Sequence, residues 1–193
     1  LSAIGADPNS TSYYARSKAA GESGLKTAFP KAVILRPSVI FGPRDKFFNR
    51  FATMAQIAPA LPLPGGGNMR MQPVYVGDVA AATLVGLGLG KKRLRKPVDG
   101  RTFELGGPDI FSFRQLMELT LKYSKRRRIL LPVPFLALNA GAMVTGFLPN
   151  PPVTRDQLRL LKIDNIVDLE ALKLDDLGVT AKAIDVIVPS YLA

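Results

Sequence analysis

Tyr14 and Lys18 stand four residues apart in the run Tyr14-Ala15-Arg16-Ser17-Lys18. On a helix that spacing puts both side chains on one face. An ammonium beside a phenol favours the tyrosinate, so the pair is suited to giving or taking a proton. Ser2, twelve residues upstream of Tyr14, is expected at the end of a preceding strand, where its hydroxyl can bind the same substrate oxygen. Such a set moves a proton while a nicotinamide moves a hydride. Other chemistries are closed off by composition. The chain has no Cys and no His, which excludes disulfides, thiolate- or imidazole-ligated zinc or iron, and Ser-His-Asp or Cys-His catalysis. No metal site is expected.

These residues need elements to hold them. Residues 7–12 (DPNSTS) are turn chemistry, and Ser12 can cap a helix over 13–28 that carries the Tyr/Lys pair. The apolar, partly β-branched run at 32–41 reads as a buried parallel strand ending at Gly42-Pro43. A short helix follows at 49–58, then a Pro/Gly-rich loop at 61–68, then a strand at 71–76. Asp78 is placed to cap a helix at 79–89. Residues 102–105 read as a strand, 113–125 as a helix capped by Ser112, and 154–162 as a helix capped by Thr154. A short terminal helix is expected at 181–191. The alternation of strands and helices predicts an α/β chain: the C-terminal part of a doubly wound, Rossmann-like parallel sheet. The βα units take residues 1–110, with segments of a substrate lobe interleaved. Residues 111–193 form a small, mostly helical lobe.

The 193 residues carry a net charge of +11 and are 47% hydrophobic, a composition that folds rather than stays disordered. The excess charge favours an acidic partner: a nucleotide phosphate, an anionic membrane surface or an acidic protein. No nucleic-acid motif accompanies it, so nucleic acid is not an expected partner. Two basic runs stand out, at 91–96 and at 125–128. The first reads as a solvated insertion loop. The second precedes twenty uncharged residues, 129–148. That is long enough to span a bilayer, but its prolines, Asn139 and small residues favour a buried or interfacial helical pair, with arginines at lipid headgroups. Gly65-Gly66-Gly67 lacks the Lys-Ser/Thr ending of a phosphate loop and reads as a flexible loop over a substrate cleft.

Longer patterns surround the pair. Glu22 extends it to Y-x-x-x-K-x-x-x-E, and the segments ILRPSVIFGPRDKFFNRFA, QPVYVGDVA, ELGGP and P-x-T-R-D-Q-L-x-L-L follow in order. Through nearly all of its length the chain resembles the extended and atypical short-chain dehydrogenases. It is most similar to the accessory, nucleotide-binding subunits of respiratory complex I (NADH:ubiquinone oxidoreductase) and their bacterial homologues. In that family Tyr14 would donate or accept the proton. Lys18 would hydrogen-bond the nicotinamide ribose and tune Tyr14. Pro37 and Ser38 would line the nicotinamide pocket, and Ser2 is the candidate third polar group. The resemblance implies NADP or NAD as ligand, and a peripheral position at the inner membrane, on the mitochondrial matrix side or the bacterial cytoplasmic side. The glycine-rich turn that binds the pyrophosphate is not in this sequence, so the chain reads as the C-terminal part of a longer protein that holds the nucleotide when intact. Two functions stay open. One is an accessory or assembly subunit of complex I with a mainly structural nucleotide. The other is an active oxidoreductase or epimerase-like enzyme acting on a quinone-related, isoprenoid or sugar-nucleotide substrate.

Overall fold

The computed structural model describes residues 1–90, 97–145 and 154–192. The basic loop expected at 91–96, and the end of the uncharged segment at 146–148, lie outside the described residues. Helix α1 spans Tyr13–Ala28, as its turn-and-cap signal predicts. The expected 32–41 strand is two short ones, β1 (Ile34–Pro37) and β2 (Ile40–Phe41). The break falls at Ser38-Val39, where the backbone changes partners. β1 pairs in parallel with β6 (Thr102–Leu105), whereas β2 pairs in parallel with β5 (Val74–Tyr75). On the other side of β1, Ser2 N–H donates to Leu35 O and Ile4 N–H to Pro37 O, so residues 2–4 run parallel to β1 as well.

Two expectations fail for the same reason. Residues 61–68 were expected as a loop and 129–148 as helical. Instead Ala60–Pro64 is β3 and Ile129–Val133 is β8, paired in parallel over five residues. Leu61 and Leu63 are fully buried while Pro62 and Pro64 face the other way. That is a period-two strand signal, masked by proline content. Prolines are tolerated because a two-stranded sheet has only edges. Only Phe135–Thr145 of the uncharged segment is described as helix, α5. No described helix is long and apolar enough to cross a membrane.

The remaining elements are α2 (Phe48–Ile57), β4 (Arg70–Met71), α3 (Val76–Gly86), β7 (Phe111–Ser112), α4 (Phe113–Tyr123), α6 (Arg155–Leu160) and α7 (Ile184–Ile187). β4 and β7 pair antiparallel. Ser112 and Thr154 cap α4 and α6 as predicted. Asp78 does not cap α3. It lies inside the first turn, buried, and its carboxylate accepts from the Lys182 N–H. α3 therefore starts earlier than Asp78 suggested, with Tyr75 at the cap position.

Packing crosses the change in element type near residue 110. One buried cluster joins Phe41, Phe48, Leu61 and Leu63 to Phe113, Leu116, Met117 and Val188. A second joins Leu35, Val74, Phe103 and Leu105 to Leu174 and Leu177. The C-terminal segment returns to both, so each core holds residues from both ends of the chain.

Candidate functional site

The chain leaves residues 2–4 running parallel to β1, loops through 5–12, and comes back along α1 to re-enter at Ile34. α1 therefore begins at the carboxyl end of β1, the end at which open α/β sheets hold their ligands. Tyr14 sits in the first turn of α1 and Pro37 ends β1. Tyr14 is 44% exposed. The Lys18 ammonium lies 5.5 Å from its centroid, a cation–π distance. The two groups named by their spacing thus meet, on an open surface.

Further along the same stripe the helix turns inward. Glu22 is only 9% exposed and accepts two hydrogen bonds from Arg36 of β1, at 2.8 and 2.7 Å. Arg36 also faces Glu104 of β6 at 3.5 Å. Burial pushes the Glu22 carboxyl up, but the bonds and charge of Arg36 outweigh it and hold the group below its ordinary 4.5. The Arg36 guanidinium is raised in turn, chiefly by its bond to Glu22. Glu22 therefore anchors α1 to the sheet, which fixes the helix that presents Tyr14 and Lys18.

The other three candidates lie in the interior layer. The Ser2 hydroxyl is buried and makes no hydrogen bond, although it lies near enough to Glu22 to help hold that carboxyl down. Glu22 is eight residues along α1 from Tyr14, about 12 Å at the helical rise. The Ser2 hydroxyl thus lies near the Glu22 anchor. Pro37 is buried, and its carbonyl accepts from Ile4 N–H at 3.1 Å. Ser38 is buried and its hydroxyl donates to the Asn165 carbonyl at 3.0 Å. That hydroxyl holds the C-terminal segment against the end of β1.

One participant carries no local signal. Asp156 of α6 accepts from the backbone N–H of Tyr13 at 2.8 Å and of Tyr14 at 3.0 Å, and from the Ser12 hydroxyl at 2.9 Å. Burial pushes its carboxyl up, but these donors, with Arg159, hold it below its ordinary 3.8. In sequence it stands in the P-x-T-R-D-Q-L-x-L-L segment, where nothing local points it toward α1.

Gly65-Gly66-Gly67 is a tight 3₁₀ turn with Gly67 buried. All three residues have positive φ. A Cβ on Gly65 would fall 2.3 Å from the Phe135 ring, and one on Gly67 would fall 3.0 Å from the Arg114 amide nitrogen. The glycines allow close packing against α4 and α5. Among the described residues no cluster of three or more His, Cys, Asp or Glu could hold a metal.

Residues 3–97 match the NAD dependent epimerase/dehydratase family. Over 186 residues the chain is 35% identical to "NADH dehydrogenase [ubiquinone] 1 alpha subcomplex subunit 9, mitochondrial" of Arabidopsis thaliana, covering 92% of this chain and 45% of the relative. It is also 35% identical over 158 residues to a protein named ceramide reductase from Caulobacter vibrioides, covering 79% of this chain and 47% of that one. The chain therefore spans about half the length of the curated relatives it matches. Among solved structures it resembles a dTDP-glucose 4,6-dehydratase from Streptomyces venezuelae, with a TM-score of 0.63 at 17% identity, over 93% of this chain and 49% of that one. That likeness bears on the fold, which is Rossmann-like as expected. Residues 3–97 thus carry the epimerase/dehydratase pattern, and along 92% of its length the chain is a homologue of the mitochondrial NADH dehydrogenase subunit 9.

Proposed function

We propose that this chain is part of an accessory, nicotinamide-nucleotide-binding subunit of respiratory complex I, in which Tyr14 and Lys18 face the nicotinamide ribose. The observation that carries the reading is the similarity to subunit 9 along 92% of the chain, together with a Tyr14–Lys18 pair on the carboxyl side of β1. The residues present suit the ribose–nicotinamide half of NAD or NADP. Lys18 supplies a donor for ribose oxygens, and Pro37 with the Ser38 backbone closes the inner wall. In this reading the pyrophosphate is held by the part of the relatives' length that this chain does not span. When bound, the nucleotide supplies hydride chemistry, and Tyr14 is the chain's proton-carrying group. A second reading, an active reductase, is favoured by that exposed phenol and by the similarity to the ceramide reductase.

One experiment separates the two. In the full-length protein, Lys18→Ala should weaken NADPH binding about tenfold in calorimetry, because a charge-assisted donor is lost. Tyr14→Phe should leave binding within about twofold. On quinone, sugar-nucleotide and ceramide-type substrates, an active wild type should lose roughly 10²–10⁴ in rate with Tyr14→Phe. Equal rates in the two proteins would remove Tyr14 from catalysis. No turnover by wild type with any of them, beside tight NADPH binding, supports the structural role. Unchanged binding in Lys18→Ala overturns the assignment of Lys18.

The position proposed is the inner-membrane face, on the matrix side or, in a bacterium, the cytoplasmic side. Lys125, Arg126 and Arg127 are exposed, and so are Ile129, Leu131, Leu136 and Met143 on β8 and α5. Arg128 is instead drawn inward to the Ala55 carbonyl at 2.8 Å. An anionic surface stabilises each nearby cation by about 1 kcal/mol. The protein should pellet with phosphatidylserine-containing vesicles at low salt and come off at high salt. Arg126→Gln with Arg127→Gln should cut the vesicle partition about 30-fold, the equivalent of roughly 2 kcal/mol. Equal partition of wild type and double variant would leave those arginines to another role.

A further inference from the structure

The first turn of α1 has no acidic residue of its own. A helix start leaves amides without intrahelical partners, and a single N-cap hydroxyl ordinarily satisfies one of them. Here the Ser12 hydroxyl accepts from the Ala15 N–H, the third helical amide. The first two, on Tyr13 and Tyr14, both donate to Asp156, more than 140 residues away in sequence. The same carboxylate accepts a hydrogen bond from the Ser12 hydroxyl, so it also orients the cap. The Arg16 N–H begins the ordinary ladder by donating to Ser12 O. Arg159, one turn beyond Asp156, donates to the Thr11 carbonyl at 2.9 Å. α6 thus grips residues 11–14 at four points, and its carboxylate supplies the negative charge that the positive end of α1 favours.

We infer that Asp156 is a positioning residue. By closing the first turn of α1 it fixes the Tyr14 backbone, and with it the phenol against Lys18, and so makes α6 part of the functional site. The inference rests on the reading of Tyr14 and Lys18 given above. Without Asp156, the amides of Tyr13 and Tyr14 have only water, and the turn carrying Tyr14 frays. Lys18, one turn deeper, is held by the helix ladder and by the Glu22–Arg36 anchor. The two side chains then part.

The test uses the full-length protein with selectively labelled Lys and Tyr. The Tyr14 ring should shift the Lys18 side-chain resonances by its ring current, an effect assigned by its loss in Tyr14→Leu. In Asp156→Asn this shift should fall by at least about half, and the Tyr13 and Tyr14 amides should exchange about tenfold faster. Amides at Ser23 and Gly24, deeper in the helix, should keep their rates. Asp156→Glu should restore the ring-current shift, because it retains the charge and both acceptors. NADPH affinity is measured alongside. An unchanged Lys18 shift in Asp156→Asn overturns the inference, even if the amides exchange faster, since Asp156 would then be only a cap. Failure of Asp156→Glu to restore the shift overturns it too. If wild type binds no NADPH, the nucleotide reading falls, and the ring-current result still decides the role of Asp156.

Discussion

Replacing Phe48 with Ala should lower the unfolding free energy by about 3–5 kcal/mol, the range for emptying a buried aromatic site. Phe48 is 0% exposed, at the first position of α2. Its ring packs edge-on against Phe41 at 6.2 Å and Phe47 at 5.3 Å. Phe47 in turn meets Phe113 of α4 at 5.7 Å, as does Phe51. Edge-to-face rings at these distances stabilise beyond the area they bury. The cluster joins the first helix after β2 to the first helix of the C-terminal region, so a cavity there loosens both. Few neighbours can collapse into the space, because the adjacent positions are other rings held in fixed geometry. Urea unfolding of the protein reads the effect as a lower midpoint with unchanged slope. Phe29→Ala is the control. That ring is 58% exposed, and its removal should change stability by no more than about 0.5 kcal/mol. A loss under about 1.5 kcal/mol for Phe48→Ala would mean that the aromatic cluster does not hold the two regions together.

Glu22→Ala should cost about 3 kcal/mol at pH 7. Removing one member of a buried pair usually costs about 3–5 kcal/mol, and Arg36 keeps only the longer 3.5 Å contact with Glu104. Arg36 is 26% exposed, so water recovers part of it and the lower end applies. The pH dependence has a definite sign. The folded-state pKa of Glu22 lies below its ordinary 4.5. Its contribution is therefore fully present above the unfolded pKa and is lost as pH falls through the lower folded value. Wild type should lose stability as pH drops from about 5 toward 3. Glu22→Gln, which cannot ionise, should lose less over the same interval. Asp156 and Asp164 are also held below their ordinary 3.8, so the difference between wild type and Glu22→Gln is the quantity to follow. Urea midpoints at pH 7, 5, 4 and 3 give it. Parallel curves for the two proteins would show that the Glu22–Arg36 bond contributes nothing that depends on its charge.

The same residues show how far a linear reading reaches. The Y-x-x-x-K-x-x-x-E stripe, the Ser12, Ser112 and Thr154 caps, and the strand at 102–105 were all legible, because each depends on groups within about four residues of one another along the chain. The helical period puts Tyr14 and Lys18 on one face of α1. The anchor at the far end of the stripe was only half legible: Glu22 was on the right face, but its partner Arg36 comes from the next strand. Other features depend on contacts that no local pattern contains. The β3–β8 pair joins a proline-rich stretch to an uncharged one nearly seventy residues later, and proline interrupts both strands, β3 having no β-branched residue at all. Ser38 is taken up by Asn165, Asp78 by Lys182, and the first turn of α1 by Asp156. Each of these satisfies a buried or chain-end polar group that would otherwise lose water without replacement. Helical period and capping act over a few bonds and are written in residue order, so the sequence by itself determined the Tyr14–Lys18 pair and the helix that carries it. Which distant polar group completes that helix depends on where packing leaves an unpaired donor, and only the tertiary structure decided that.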